Sequence, residues 1–117
     1  MEDECILITG GAGYIGSHAI FGFQSVGYKP IVIDNLATGV RQAVPENVTF
    51  IEGNAGDQSL VQSIIQTNHI KVVVHFAGSV VVPESVTNPL KYYSNNTCVS
   101  RNLLDVCVRT GVKHFIY

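Results

Sequence analysis

Charge is scarce in this sequence of 117 residues: lysine and arginine number 7, aspartate and glutamate 9, and charged side chains make up 14% of the whole. The net charge of -2 comes without a basic cluster, so the chain lacks the electrostatic footprint that nucleic acid or anionic lipid requires. Small molecules are the partners left. Long apolar runs are missing as well. Although 46% of the residues are hydrophobic, no run approaches the ~20 residues of a membrane span. Cysteine is rare, and Cys5, Cys98 and Cys107 form an odd set with no C-x-x-C pair, which argues against a disulfide framework or a thiolate metal site. At about 100° per residue Cys98 and Cys107 would fall on opposite faces of a helix, as buried or half-buried free thiols. The histidines, His18, His69, His75 and His114, show no ligand spacing, so no metal site is expected. The acidic start "MEDEC" has neither the basic residues nor the apolar segment of a signal peptide, and the expected location is the cytosol. There are no repeats and no low-complexity segments.

What the chain does have is a dense knot of glycine. In "ILITGGAGYIGSH", Ile6 to His18, four glycines fall within seven positions directly after an apolar run. Around this knot the hydrophobic pattern alternates between strand-like runs and helix-like stripes. "CILIT" and "PIVID" read as buried strands, apolar on both faces. Ile15, Ala19, Phe23 and Val26, spaced by four, four and three, predict an amphipathic helix that ends at Gly27. A polar loop, "NLATGVRQAVPEN", precedes a short strand in "VTFIEG". Asp57 then stands as the N-cap of a helix whose apolar face is Leu60, Val61, Ile64 and Ile65. The valine-rich "KVVVHFAG" is the strongest strand signal. Asn88-Pro89 opens a long helix through Arg109, closed by Gly111, and "KHFIY" supplies a fifth strand. Strands alternating with helices predict an α/β fold with a doubly wound parallel sheet, here cut short after its fifth strand.

Gly11, Gly13 and Gly16 fit G-x-G-x-x-G, and Gly10, Gly13 and Gly16 fit G-x-x-G-x-x-G equally well. Such a turn lets a strand pass sharply into a helix, bares backbone to a pyrophosphate, and packs helix closely on strand. Free N–H groups and the positive end of the helix dipole then hold phosphate without a lysine. Eighteen residues after Gly16, at the tip of the second strand, stands Asp34, close to the expected offset of about 20. A carboxylate there accepts hydrogen bonds from an adenosine ribose and repels a 2′-phosphate, which favours NAD over NADP. The competing reading of Asp34 is an ordinary strand-end acid that caps the next turn.

"TGGAGYIGSH", "DNLATG", "HFAGSVVVPESV", "NPLKYYSNNT" and "VKHFIY" together resemble the N-terminal part of the UDP-glucose 4-epimerases, within the extended short-chain dehydrogenase/reductase family. The likeness covers essentially the whole chain, in order. It implies that residues 1–117 are the N-terminal portion of an NAD-binding Rossmann domain, with the catalytic and UDP-sugar-binding portions absent. It further implies that Gly10, Gly13, Tyr14, Ile15 and Gly16 line the pyrophosphate, that Asp34 and Asn35 hold the adenosine ribose, and that Phe76, Ala77 and Gly78 lie under the cofactor while Asn95 contacts it from the side. Asn54-Ala55 stands where the family commonly reads the adenine edge with an Asp and an aliphatic residue, Gly56 where an arginine is common, and Val80 where many members carry lysine.

The resemblance implies hydride exchange between C4 of a UDP-sugar and NAD, carried out with a tyrosine, a lysine and a serine or threonine that in the family lie beyond Tyr117. None of Tyr14, Tyr28, Tyr92, Tyr93 or Tyr117 sits in a Y-x-x-x-K arrangement, so no catalytic residue is assigned here. The isolated chain is expected to be inactive, to bind NAD weakly if at all, and to self-associate through its last strand, while the parent is a homodimer. Another nucleotide-sugar epimerase or dehydratase, or a non-catalytic NAD-binding module, remain the alternatives.

Overall fold

A computed structural model describes residues 4–12, 14–36, 40–76 and 98–116. Five strands, β1 (Glu4–Thr9), β2 (Tyr28–Asp34), β3 (Thr49–Glu52), β4 (Val72–His75) and β5 (His114–Ile116), form one sheet in the order β3-β2-β1-β4-β5. Every pairing is parallel. Three helices are described with them: α1 (Tyr14–Ser25), α2 (Gln58–Asn68) and α3 (Val99–Thr110). The polar loop after β2 contains one 3-10 turn, Arg41–Ala43. The strand order reverses at β1, which makes the carboxyl ends of β1 and β4 the switch point where a ligand is expected in such a sheet.

Period-two alternation divides the core. Ile6 and Ile8 of β1 point to one face with Val32, Val72, Val74 and Ile20 of α1, whereas Leu7 points to the other with Ile31, Ile33, Val73 and residues of α2 and α3. Helices therefore cover both faces, which is why the strands read as continuous apolar runs. Ile6, Leu7 and Ile8 have no exposed surface; each contributes about 1.5–3 kcal/mol by burial.

Helix ends follow the chemistry of the sequence. The Asp57 carboxylate accepts from the Leu60 N–H at the start of α2, and Val61, Ile64 and Ile65 are buried as the stripe predicts. Gly111, at φ 80°, ends α3, and the Val112 N–H reaches back to the Cys107 carbonyl. Asn88 and Pro89, the predicted opening of the long helix, lie outside the described residues. Gly27, at φ 96°, follows α1 as expected.

The predicted stripe of α1 needs correction. Ile15 is 66% exposed and Val26 70%, while the side toward the sheet carries Gly16 and Ile20, with Phe23 partly buried beside Tyr28. Gly16 has to press on the preceding turn, and this fixes the rotation of the helix. Periodicity counts side-chain hydrophobicity and gives a glycine no weight in choosing a face.

Candidate functional site

The turn between β1 and α1 is built by close backbone approach. Gly10 sits at φ 71° and donates its N–H to the Ile33 carbonyl of β2, so the chain leaves β1 already tied to its neighbour. A Cβ on Gly16 would overlap the Gly10 carbonyl oxygen and lie 2.9 Å from the Gly11 Cα, a separation real Cβ atoms do not show. A Cβ on Gly11 would meet the Val32 side chain at 2.6 Å. These glycines are thus required for three distinct reasons: conformation, strand contact and helix contact. Gly13 lies outside the described residues, and of Tyr14 only the backbone, at the first position of α1, is described.

Asp34 closes the turn from the β2 side. One carboxylate oxygen accepts from the Ala12 N–H at 3.0 Å and the other from the Leu36 N–H at 2.7 Å, with the residue 9% exposed. The competing strand-end reading is therefore realised, since Asp34 does cap the turn after β2. It also binds the glycine turn, and each oxygen keeps acceptor capacity for a further donor. Leu36 takes φ 60°, uncommon for a residue with a Cβ, under the hold of Asp34. Asn35 is exposed beside it.

Beyond β3, whose Glu52 is the register partner of Asp34, the chain makes a second tight turn. The Asn54 side-chain oxygen accepts from the Gly56 N–H at 2.7 Å, and the Asp57 N–H donates to the Asn54 carbonyl at 2.9 Å. Asn54 is exposed and Ala55 is buried. On the far side of this turn Asn102 of α3 donates to the Gly56 carbonyl at 3.3 Å, and Gln58 donates to the Asn102 carbonyl and to Asp105. A cleft of about 250 Å³ opens between the turn and the start of α3, lined by Asn54, Gly56, Asp57, Cys98, Val99 and Asn102.

At the switch point, the Phe76 N–H is shared between the carbonyl and the hydroxyl oxygen of Thr9, at 2.9 and 3.1 Å. Phe76 is partly buried at this junction; Ala77, Gly78, Val80 and Asn95 lie outside the described residues. A polar chain that sequence reasoning missed runs through the same place. The Thr9 hydroxyl is 2.5 Å from His75 Nδ1, and His75 Nε2 is 2.9 Å from the Ser100 hydroxyl, joining β1, β4 and α3. Burial lowers the His75 pKa below its ordinary value of 6.5, which keeps the ring neutral at neutral pH. The available signal is a polar residue closing each of two apolar runs, Thr9 after residues 6–8 and His75 after residues 72–74, which the register places side by side.

Among the other titratable groups, burial pushes the Cys107 thiol up to about 11, which makes it a structural thiol and not a nucleophile. Arg41 stacks over the Phe50 ring at 4.8 Å and donates to the Val44 carbonyl, so its charge is held against β3. No helix among the described residues is long and apolar enough to cross a membrane.

Residues 6–117 match the NAD dependent epimerase/dehydratase family. A UDP-glucose 4-epimerase of Azospirillum brasilense is 44% identical over 112 residues, covering 96% of this chain and 32% of that protein. One of Klebsiella pneumoniae is 37% identical over 119 residues, covering 96% and 86%. Among solved structures, the UDP-glucose 4-epimerase of Thermus thermophilus in complex with NAD superposes with a TM-score of 0.91 at 34% identity, covering 97% of this chain and 36% of that one. The Brucella ovis UDP-glucose 4-epimerase with NAD gives a TM-score of 0.91 at 40% identity, covering 96% and 34%. The chain thus spans about a third of the length of several of the proteins it matches.

Proposed function

The chain belongs to the NAD dependent epimerase/dehydratase family, and from that premise we propose that it is the cofactor-holding portion of a UDP-glucose 4-epimerase, which interconverts UDP-glucose and UDP-galactose and so serves galactose metabolism. Bound NAD supplies a reversible hydride acceptor for C4 of the sugar. The residues that carry the proton chemistry and the UDP-sugar pocket belong to the remaining two thirds of such a protein, and residues 1–117 by themselves are inactive.

The fit to a dinucleotide rests on the shape of the glycine turn. Gly16 leaves the start of α1 flush against Gly10, with no side chain in between, and the first N–H groups of a helix, which lack intrahelical partners, suit a pyrophosphate. Gly10, Tyr14, Ile15 and Gly16 serve this role, together with Gly13 by the family pattern. Asp34 and Asn35 receive the adenosine ribose, Asn54 and Ala55 the base, and Phe76 the cofactor where it crosses the switch point. Ala77, Gly78 and Asn95 complete the set by resemblance alone. Three free cysteines suit a reducing compartment, the cytoplasm. Leu104 and Val108, exposed one turn apart on α3, offer an apolar face to a second copy in a homodimer.

The observation that carries the NAD reading is Asp34: an acid at the β2 tip, hydrogen-bonded to the glycine turn, with acceptor capacity to spare and Arg41 drawn away toward Phe50. Asp34→Ala in the full-length protein should lower the preference for NAD over NADP about tenfold, a loss of one or two charge-assisted hydrogen bonds. Fluorescence titration with both reduced cofactors measures it. Unchanged selectivity would remove Asp34 from the ribose role and leave it the turn cap alone.

A further inference from the structure

We propose that Phe50 is a specificity-determining residue for the dinucleotide: its ring holds the Arg41 guanidinium back from the ribose edge and so withholds that cation from a 2′-phosphate. The inference rests on the cofactor reading above and adds to it a second discriminating element besides Asp34.

Arg41 is anchored beside the glycine turn. The Val40 N–H donates to the Ala12 carbonyl at 3.2 Å, and the Ala12 N–H donates to Asp34 at 3.0 Å, so two hydrogen bonds link the residue before Arg41 to the carboxylate proposed for the ribose. The 3-10 turn of Arg41–Ala43 then fixes how the chain leaves that contact. An arginine starting from this place has the ribose edge within its swing.

The side chain is held elsewhere. Its guanidinium carbon stands 4.8 Å from the centroid of the Phe50 ring, inside the ~6 Å range of cation–π attraction, and Nη1 donates to the Val44 carbonyl at 3.0 Å. Phe50 is itself packed against the core that contains Val32, Val44 and Val48, which steadies the ring. In the sheet Phe50 pairs with Val32, and Glu52 pairs with Asp34. Residues two apart on a strand share a face and differ in level by about 6.6 Å, so the stack lies on the Asp34 side of the sheet, one repeat short of the carboxylate.

The chemistry of this arrangement is subtractive. Arginine is the side chain best matched to phosphate, through paired N–H donors, and a 2′-phosphate on a ribose at Asp34 would meet the acid while the guanidinium is occupied by Phe50. Phe50→Leu keeps apolar bulk against the core but removes the π face, which frees Arg41 to turn toward the tip of β2. Phe50→Tyr keeps the face and leaves Arg41 where it is.

The test displaces NADH from the full-length protein with NADPH, followed by nicotinamide fluorescence, in wild type, Phe50→Leu, Phe50→Tyr, Arg41→Met and the double variant Phe50→Leu/Arg41→Met. The affinity for NADPH relative to NADH should rise about fivefold in Phe50→Leu, the worth of one exposed cation–π contact, and stay within about twofold of wild type in the other three. The double variant isolates the pair, because a general loosening of β3 would act with or without Arg41. A ratio that does not rise in Phe50→Leu, or that rises equally in Phe50→Tyr or in the double variant, overturns the proposal while the cofactor reading stands. Should Phe50→Leu fail to fold, Arg41→Met decides: an unchanged ratio supports the restraint, and a fall of several-fold overturns it by showing that Arg41 already serves the phosphate. A wild-type protein that binds neither dinucleotide overturns the cofactor reading itself.

Discussion

Two turns at the same end of the sheet solve the same problem by different means. The turn after β1 passes from strand to helix by removing side chains: Gly16 lies on the backbone of Gly10, and no rotation of a neighbour could make room for a methyl group there. The turn after β3 does it by adding side chains that act as backbone substitutes, with Asn54 holding Gly56 and Asp57 capping α2. Where a ligand's charge has to come close to the main chain, bareness is the requirement. Where the turn only needs its hydrogen bonds completed, small polar residues suffice, and a Cβ added to Gly56 would stand 3.2 Å from the Asn54 side-chain oxygen and from Val99.

Substitutions that add one methyl group or remove one cap test this contrast. Gly16→Ala should be the most damaging, costing about 3 kcal/mol because the obstruction is backbone, and it should abolish dinucleotide binding with it. Urea denaturation reads the first effect, and a midpoint within error of wild type would mean that α1 can slide off the turn. Asp57→Ala should cost about 1 kcal/mol, the ordinary worth of an N-cap, without touching the glycine turn. Thermal unfolding together with the helical signal would show it, and a loss as large as that of Gly16→Ala would erase the distinction between the turns. Gly56→Ala should be the mildest, within about 0.5 kcal/mol, since its contacts need to give by only a few tenths of an ångström. A loss of several kcal/mol there would show that the second turn is also built on bareness.

Much of this arrangement is legible from residues alone, and what is not fails for identifiable reasons. All five strands follow from short apolar runs bounded by Gly, Pro or polar residues, and the Asp57 and Gly111 caps lie where their chemistry demands. The glycine spacing and Asp34 mark two parts of the proposed site, and the structure joins them through the hydrogen bond from the Ala12 N–H to Asp34. The face of α1 is not legible in the same way: its rotation is set by a glycine, invisible to a count of apolar side chains. Thr9, His75 and Ser100 do not stand out as a chain because Thr9 and His75 are 66 residues apart and His75 and Ser100 are 25 apart. Asn54 enters the proposed site by resemblance alone, whereas its hydrogen bond with the Gly56 N–H is a property of the folded turn.

The position of β1 carries a consequence for how the domain comes into being. It precedes the other four described strands in the chain, and it pairs on both sides, with β2 and with β4. Its pairing with β2 is available as soon as the first helical crossover is made, yet the other side of its backbone waits for β4, whose His75 pairs with Thr9 across 66 residues. In that interval Ile6, Leu7 and Ile8, fully enclosed in the native protein, lie along an unsatisfied edge. Parallel pairing over such separations is slow to form and open to wrong partners while it does. The strand that organises the cofactor turn is thus the one most dependent on the nascent chain being kept apart from its neighbours until β4 arrives.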